Sequence, residues 1–148
     1  MAHARFYLLD SIGDDNLLPF VCQQVSDAFR QGRRVLIMAS DKNQAEAIDE
    51  LLWQLPAQAF VPHNLTGEGP PSGCPVEVSW PAASQGKPWP LLINLSQQVP
   101  SVAQRAQQVI DFVPQDDSAR ALARERYKQY RQFGIALHTE QATLTAND

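Results

Sequence analysis

Apolar and polar positions alternate with different rhythms along this chain, and each rhythm predicts a different element. Arg5-Phe6-Tyr7-Leu8-Leu9 is dense in aromatic and aliphatic side chains, as a short buried strand requires. Asp10 to Asp15 is a turn-forming stretch. Leu18, Val21, Cys22, Val25, Ala28 and Phe29 then recur at steps of three and four, which places them on one stripe of a helix. Pro19 is tolerable in the first turn of that helix, and Gly32 stands where a left-handed stop is wanted. Val35-Leu36-Ile37-Met38-Ala39 is a continuous apolar run, the pattern of a strand covered on both faces. Ser40 or Asp41 can cap a second helix with Ala45, Ile48, Leu51 and Leu52 on its buried face, ended by Pro56. The order β-α-β-α predicts a parallel sheet with crossover helices.

From Pro56 to Pro90 there are eight prolines and four glycines, so most of that stretch reads as loop. Within it, Val76-Glu77-Val78-Ser79-Trp80 alternates as a half-exposed strand does. Leu91 to Leu95 and Val109 to Val113 are two more strand-like runs, the second halted by Pro114. Asp116, Asp117 or Ser118 can cap a last long helix reaching about Phe133, with Gly134 as its stop. The polar residues after about Thr139 read as a fraying tail. No repeat or linker divides the chain. The expectation is one α/β domain over residues 1–148, a mostly parallel twisted sheet flanked by helices.

Length and composition agree: 148 residues with 44% hydrophobic and 19% charged residues suit one core. A formal net charge of -4 argues against wrapping duplex nucleic acid. Cys22 and Cys74 form no metal or redox motif and are expected to be reduced thiols. The opening residues run straight into a strand without leader pattern, and no apolar run nears the ~18 residues of a membrane span, so a cytoplasmic setting is expected.

Chemistry is sought next. A phosphate loop needs glycines followed by Lys and Ser/Thr at a helix start. Asp10-Ser11-Ile12-Gly13-Asp14-Asp15 has one glycine and three carboxylates, and Ser40-Asp41-Lys42-Asn43 has no glycine. Gly67, Gly69 and Gly73 lie among prolines. No Gly-x-Ser-x-Gly elbow exists, His63 and His138 lack local partners that would activate a nucleophile, and His3, near the terminus, is uninformative. His63 reads as a polar loop residue, and the acidic loop as a solvated turn rather than a calcium site. No catalytic residue, cofactor or metal is therefore expected. A small α/β nucleotide-binding protein or enzyme is the alternative.

Two surfaces stand out. Between Ser118 and Gly134 lie Arg120, Arg124, Arg126, Lys128 and Arg131 against a single acid, Glu125. Arg120, Arg124, Tyr127 and Arg131 are four, three and four residues apart and share one helix face, with Lys128 beside Arg124. Ala119, Leu122, Ala123, Tyr130 and Phe133 are left to pack on the sheet. Guanidinium groups around a tyrosine can hold a carboxylate bidentately while an apolar group rests on the ring. A solvated cationic face is the plain alternative, and direct single-strand binding a third. Trp53, Phe60 and Val61 place large apolar groups beside proline-broken loop, as a partner surface or as cover for the core edge.

Specific strings carry more. Phe6-Tyr7-Leu8-Leu9-Asp10, Gly32-Arg33-Arg34-Val35-Leu36-Ile37, Phe60-Val61-Pro62-His63-Asn64-Leu65 with Gly67-Glu68-Gly69-Pro70, Pro75-Val76-Glu77-Val78, Val109-Ile110-Asp111-Phe112-Val113-Pro114 and Leu122-Ala123-Arg124-Glu125-Arg126-Tyr127-Lys128-Gln129-Tyr130-Arg131 occur in this order. Together, from about Arg5 to Gly134, they resemble the chi subunit family of the DNA polymerase III holoenzyme. The resemblance implies a non-catalytic accessory subunit of the clamp-loader complex, with a mononucleotide-binding-like α/β fold that lacks a phosphate loop. It implies two protein partners, the psi subunit and the acidic C-terminal tail of single-stranded DNA-binding protein, with DNA reached only indirectly. Carried over by string, the tail-binding positions are Val113, Arg120, Arg124, Tyr127, Lys128 and Arg131, with Arg124 on the terminal carboxylate. Arg120 stands where some relatives are expected to have lysine, which keeps the charge. The psi-facing surface resembles Trp53, Phe60 and Val61. The loop from Ala82 to Pro90 and the residues after Leu137 match nothing in the family.

Overall fold

Every strand of the sheet runs parallel to its neighbours. The computed structural model describes residues 2–55, 60–70, 73–84 and 86–144. The strands are β1 His3–Leu8, β2 Val35–Met38, β3 His63–Leu65, β4 Val76–Ser79, β5 Leu91–Asn94, β6 Gln108–Val113 and β7 Ala136–Gln141, lying side by side in the order β3-β4-β2-β5-β6-β1-β7. The helices are α1 Leu17–Arg30, α2 Lys42–Gln54 and α3 Asp117–Gln132.

The apolar runs behave as their patterns require. All four residues of β2 are buried, and successive side chains go to opposite faces. Val35 and Ile37 join a core with Val21 and Val25 of α1 and Ile48 and Leu52 of α2. Leu36 and Met38 join a second core with Ala4, Phe6, Val109 and Tyr130 of α3. A sheet sandwiched this way needs apolar strands throughout, and it has them. The Asp41 carboxylate caps α2 by accepting from Gln44 N at 2.8 Å, and Asp116 caps α3 by accepting from Ala119 N at 2.9 Å. Pro56, expected to end α2, lies outside the described residues, and the helix already stops at Gln54. After α3 the chain turns at Gly134, whose φ of 78° is costly for any side-chain-bearing residue, and Ile135 N donates back to Tyr130 O at 3.1 Å.

Two strands depart from the sequence reading. β3 forms inside the proline-rich stretch, with His63 and Leu65 buried. β7, Ala136–Gln141, starts after the Gly134 stop and runs into the tail expected after about Thr139, so the chain stays in the sheet to Gln141. Ala142, fully buried, donates its N–H to Leu8 O at 2.9 Å. β7 is almost wholly exposed, so its extended form comes from pairing with β1 rather than from its own pattern.

One consequence of the topology positions the site. α3 joins β6 to β7, but β1 lies between those strands. The helix must cross β1, which brings the Phe6 side chain beneath it.

Candidate functional site

The α3 face predicted to bind a carboxylate borders a hollow of about 310 Å³. Its apolar side is Phe6 from β1, Val113 from the end of β6, and Ala123. Arg124, Tyr127, Lys128 and Arg131 supply the rest. The Phe6 and Tyr127 rings lie 5.3 Å apart at 58°, and the guanidinium carbon of Arg131 sits 5.3 Å from the Tyr127 centroid. Among the described residues Arg124 has no hydrogen bond or ion pair, so its planar fork is open to a ligand. Lys128 meets Glu125 at 3.5 Å, but both side chains are about two-thirds exposed (67% and 72%), and such a pair holds weakly. Phe6, read from the sequence only as core, supplies the floor. Its signal was topological and not local.

Arg120 does not line this hollow. Its Nε donates to Pro114 O at 3.0 Å, and its Nη2 contacts the Asp10 carboxylate oxygens at 3.1 and 3.3 Å.

Arg126 differs from its cationic neighbours: it is buried. It stands three residues after Ala123 and four before Tyr130, on the inward stripe of α3, and that spacing was the available signal. Its Nε and Nη2 donate to the fully buried Asp111 carboxylate of β6 at 3.0 to 3.1 Å. Tyr130 Oη donates to Asp111 Oδ2 at 2.7 Å, Asn94 Nδ2 donates to the same oxygen at 3.3 Å, and Phe112 N donates to Oδ1 at 2.6 Å. Burial pushes the Asp111 carboxyl upward from its ordinary value, and Arg126 pulls against it. Every contact made to Asp111 is a donor, which is the geometry of an ionised carboxylate. Burial, followed by the Asp111 charge, also raises Tyr130 well above a usual phenol. Arg126 Nη1 reaches Gln97 O at 3.2 Å, so the network ties α3 to the loop after β5. Leu122 and Phe133, expected against the sheet, are instead exposed, because the inward positions are taken by Ala123, Arg126 and Tyr130.

The second predicted surface divides. Trp53 and Phe60 are 62% and 54% exposed with ring centroids 5.0 Å apart, whereas Val61 is buried core. Val61 is therefore corrected from a surface residue to a support. Beneath the pair lies His63, whose ring is 5.4 Å from Trp53 and 5.8 Å from Phe60. His63 is not a loop residue: its Nδ1 lies 2.7 Å from Val61 O, and its Nε2 3.1 Å from Asp49 O. The imidazole fastens β3 to α2 and props up both aromatics.

The strand ends complete the picture, since α/β folds of this kind place ligands there. Here Asp14 accepts from Gln115 N at 2.7 Å and from Asp116 N at 3.0 Å. The acidic loop is thus no freely solvated turn. Its own carboxylate takes backbone donors, just before α3, of the sort that bind anions. Among the described residues no group of three or more His, Cys, Asp and Glu side chains is placed to hold a metal, and no helix is long and apolar enough to cross a membrane. Cys22 and Cys74 are free thiols, and burial pushes Cys22 up to about 12.

Fold and surfaces define a class: an all-parallel α/β domain without a glycine phosphate loop, carrying a half-apolar, half-cationic hollow beside its last helix. Comparison with known proteins narrows the class. The family model described as "DNA polymerase III chi subunit, HolC" matches residues 1–138, and the chain belongs to that family. It is 45% identical over 143 residues to DNA polymerase III subunit chi of Escherichia coli, covering 94% of this chain and 97% of that one. With the subunit chi of Haemophilus influenzae it shares 42% identity over 137 residues, covering 93% and 95%. The Pseudomonas aeruginosa subunit chi is 28% identical over 137 residues, covering 93% and 94%. The chain is accordingly an accessory subunit of a DNA polymerase III.

Proposed function

We propose that this subunit is a non-catalytic bridge acting in the cytoplasm, with the α3 hollow binding the acidic C-terminal tail of single-stranded DNA-binding protein. The observation that carries the reading is Arg124, without a partner among the described residues, beside an apolar floor. A terminal carboxylate can take the guanidinium fork while the last apolar side chain fills the space over Phe6 and Val113. Tyr127 walls that space, and Lys128 and Arg131 meet acids further up the tail. The filled seat at Asp14 favours protein docking over nucleotide chemistry.

The test is a peptide of several aspartates ending in an apolar residue, titrated with a free or an amidated C-terminus. A hydrogen bond to a charged group contributes about 1.5–3 kcal/mol, so amidation should weaken binding about tenfold or more. Equal affinity for both peptides would remove Arg124 from its role.

The same reading assigns Trp53 and Phe60, supported by Val61 and His63, to the psi subunit. Two exposed aromatics in contact at a sheet edge, their rings tilted by 32°, have the character of a binding hot spot. Trp53→Ala should weaken psi binding by about tenfold or more and leave the acidic peptide unaffected, because the rings lie on α2 and the edge by β3 while the hollow lies by α3 and β1. Loss of both activities together would contradict two independent surfaces.

A further inference from the structure

Arg120 stands one helical turn before Arg124 on the same face of α3, yet its charge is already engaged. Pro114 O accepts from its Nε at 3.0 Å, and Pro114 directly follows Val113, which lines the hollow. The guanidinium is therefore held at the residue next to the hollow's Val113 wall, outside the lining itself. Its outward Nη2 faces Asp10, the residue that ends the run from β1, at 3.1 and 3.3 Å. Both partners are partly exposed, 28% for Arg120 and 45% for Asp10. A pair in that setting is weak and exchangeable.

We propose that Asp10 is a built-in competitor for the ligand: it occupies Arg120 as an acidic side chain of a bound peptide would. This rests on the reading of the hollow as an acidic-tail site. The Pro114 contact stays in place while the Nη2 contact passes from Asp10 to an incoming carboxylate. Arg124 reads the terminal carboxylate; Arg120 then reads acids upstream of it. Only a segment with acids upstream of its end meets this competition, so Asp10 tempers the affinity for a polyacidic tail and leaves a chain end carrying one carboxylate unaffected.

The test uses the full chain with Asp10→Asn, an isosteric change that leaves intact the Asp10 carbonyl accepting from Gln115 Nε2. Two peptides are titrated calorimetrically, one with aspartates before the apolar end and one with asparagines in their place. Asp10→Asn should bind the aspartate peptide about two- to fivefold more tightly, the span an exposed pair commands. It should not change affinity for the asparagine peptide. Asp15→Asn, which removes an exposed carboxylate from the same loop, should give no gain, and neither should Asp10→Asn in an Arg120→Gln background. An unchanged or weaker affinity in Asp10→Asn overturns the proposal, as does an equal gain from Asp15→Asn. If Arg124→Ala loses the peptide while Asp10→Asn changes nothing, the hollow keeps its role and Asp10 loses its own. If the unaltered protein binds neither peptide, both readings fall.

Discussion

Arg126→Ala should cost about 3–5 kcal/mol of stability, because it strands the Asp111 carboxylate in the core without its cation. The residue looks like one more member of a basic helix face, where truncation would cost little. Burial decides otherwise. Asp111 is fully buried, and Arg126 supplies three of the donor contacts made to it. In a domain of this size the loss corresponds to a fall in Tm on the order of 10 °C, measurable by calorimetry. The paired replacement Asp111→Leu with Arg126→Met should be much milder than either single change, since no charge is then left unpaired. Tyr130 and Asn94 would still lose a partner, so full recovery is not expected. A single mutant within about 1 kcal/mol of the parent would show that the pair contributes little and that water reaches Asp111.

The network also bears on the hollow. Phe6 packs edge-on to Tyr130 at 5.6 Å and against Tyr127 at 5.3 Å. Holding Tyr130 through Asp111 therefore fixes the floor on which a ligand would rest. Arg126 is in this sense a positioning residue for a surface it never touches.

Arg124→Ala should remove at least about 2 kcal/mol of peptide affinity, roughly thirtyfold, with the melting curve unchanged. The stability half of that expectation follows from exposure: the side chain has no partner among the described residues, so folding does not depend on it. Arg124→Lys should recover only part of the affinity, since an ammonium cannot match a carboxylate with two parallel donors. Binding to the parent should weaken as salt rises, because the Debye length shrinks to ~8 Å at physiological ionic strength and below that in stronger salt. Titration calorimetry at two salt concentrations measures both effects. Affinity that survives Arg124→Ala would place the ligand elsewhere, with the exposed Leu122 side of α3 the next surface to probe.

Much of this architecture is legible in the linear chain. The stripe from Val21 to Ala28, the uninterrupted apolar run at Val35, the carboxylates at Asp41 and Asp116 and the glycine at 134 each state a local requirement, and local physics suffices to meet it. The resemblance to the chi family likewise needed no structure, and the family model matching residues 1–138 bears it out. Other features have no local cause. β7 is polar and exposed, and it is a strand because β1 offers it a ladder. β3 is three residues long inside a proline-rich stretch and is extended because β4 pairs with it. Arg126 and Arg124 are chemically identical and two positions apart, yet one is a core ion pair and the other an open fork. Only the docking of α3 across β1 separates them, because a helix turns about 100° per residue and a shift of two places exchanges its inner and outer faces. Composition and periodicity determined the three helices and the strands β1, β2, β4, β5 and β6. Which charges are spent inside the protein, at Asp14, Asp111 and Arg126, and which remain free for a partner was settled by how those elements meet.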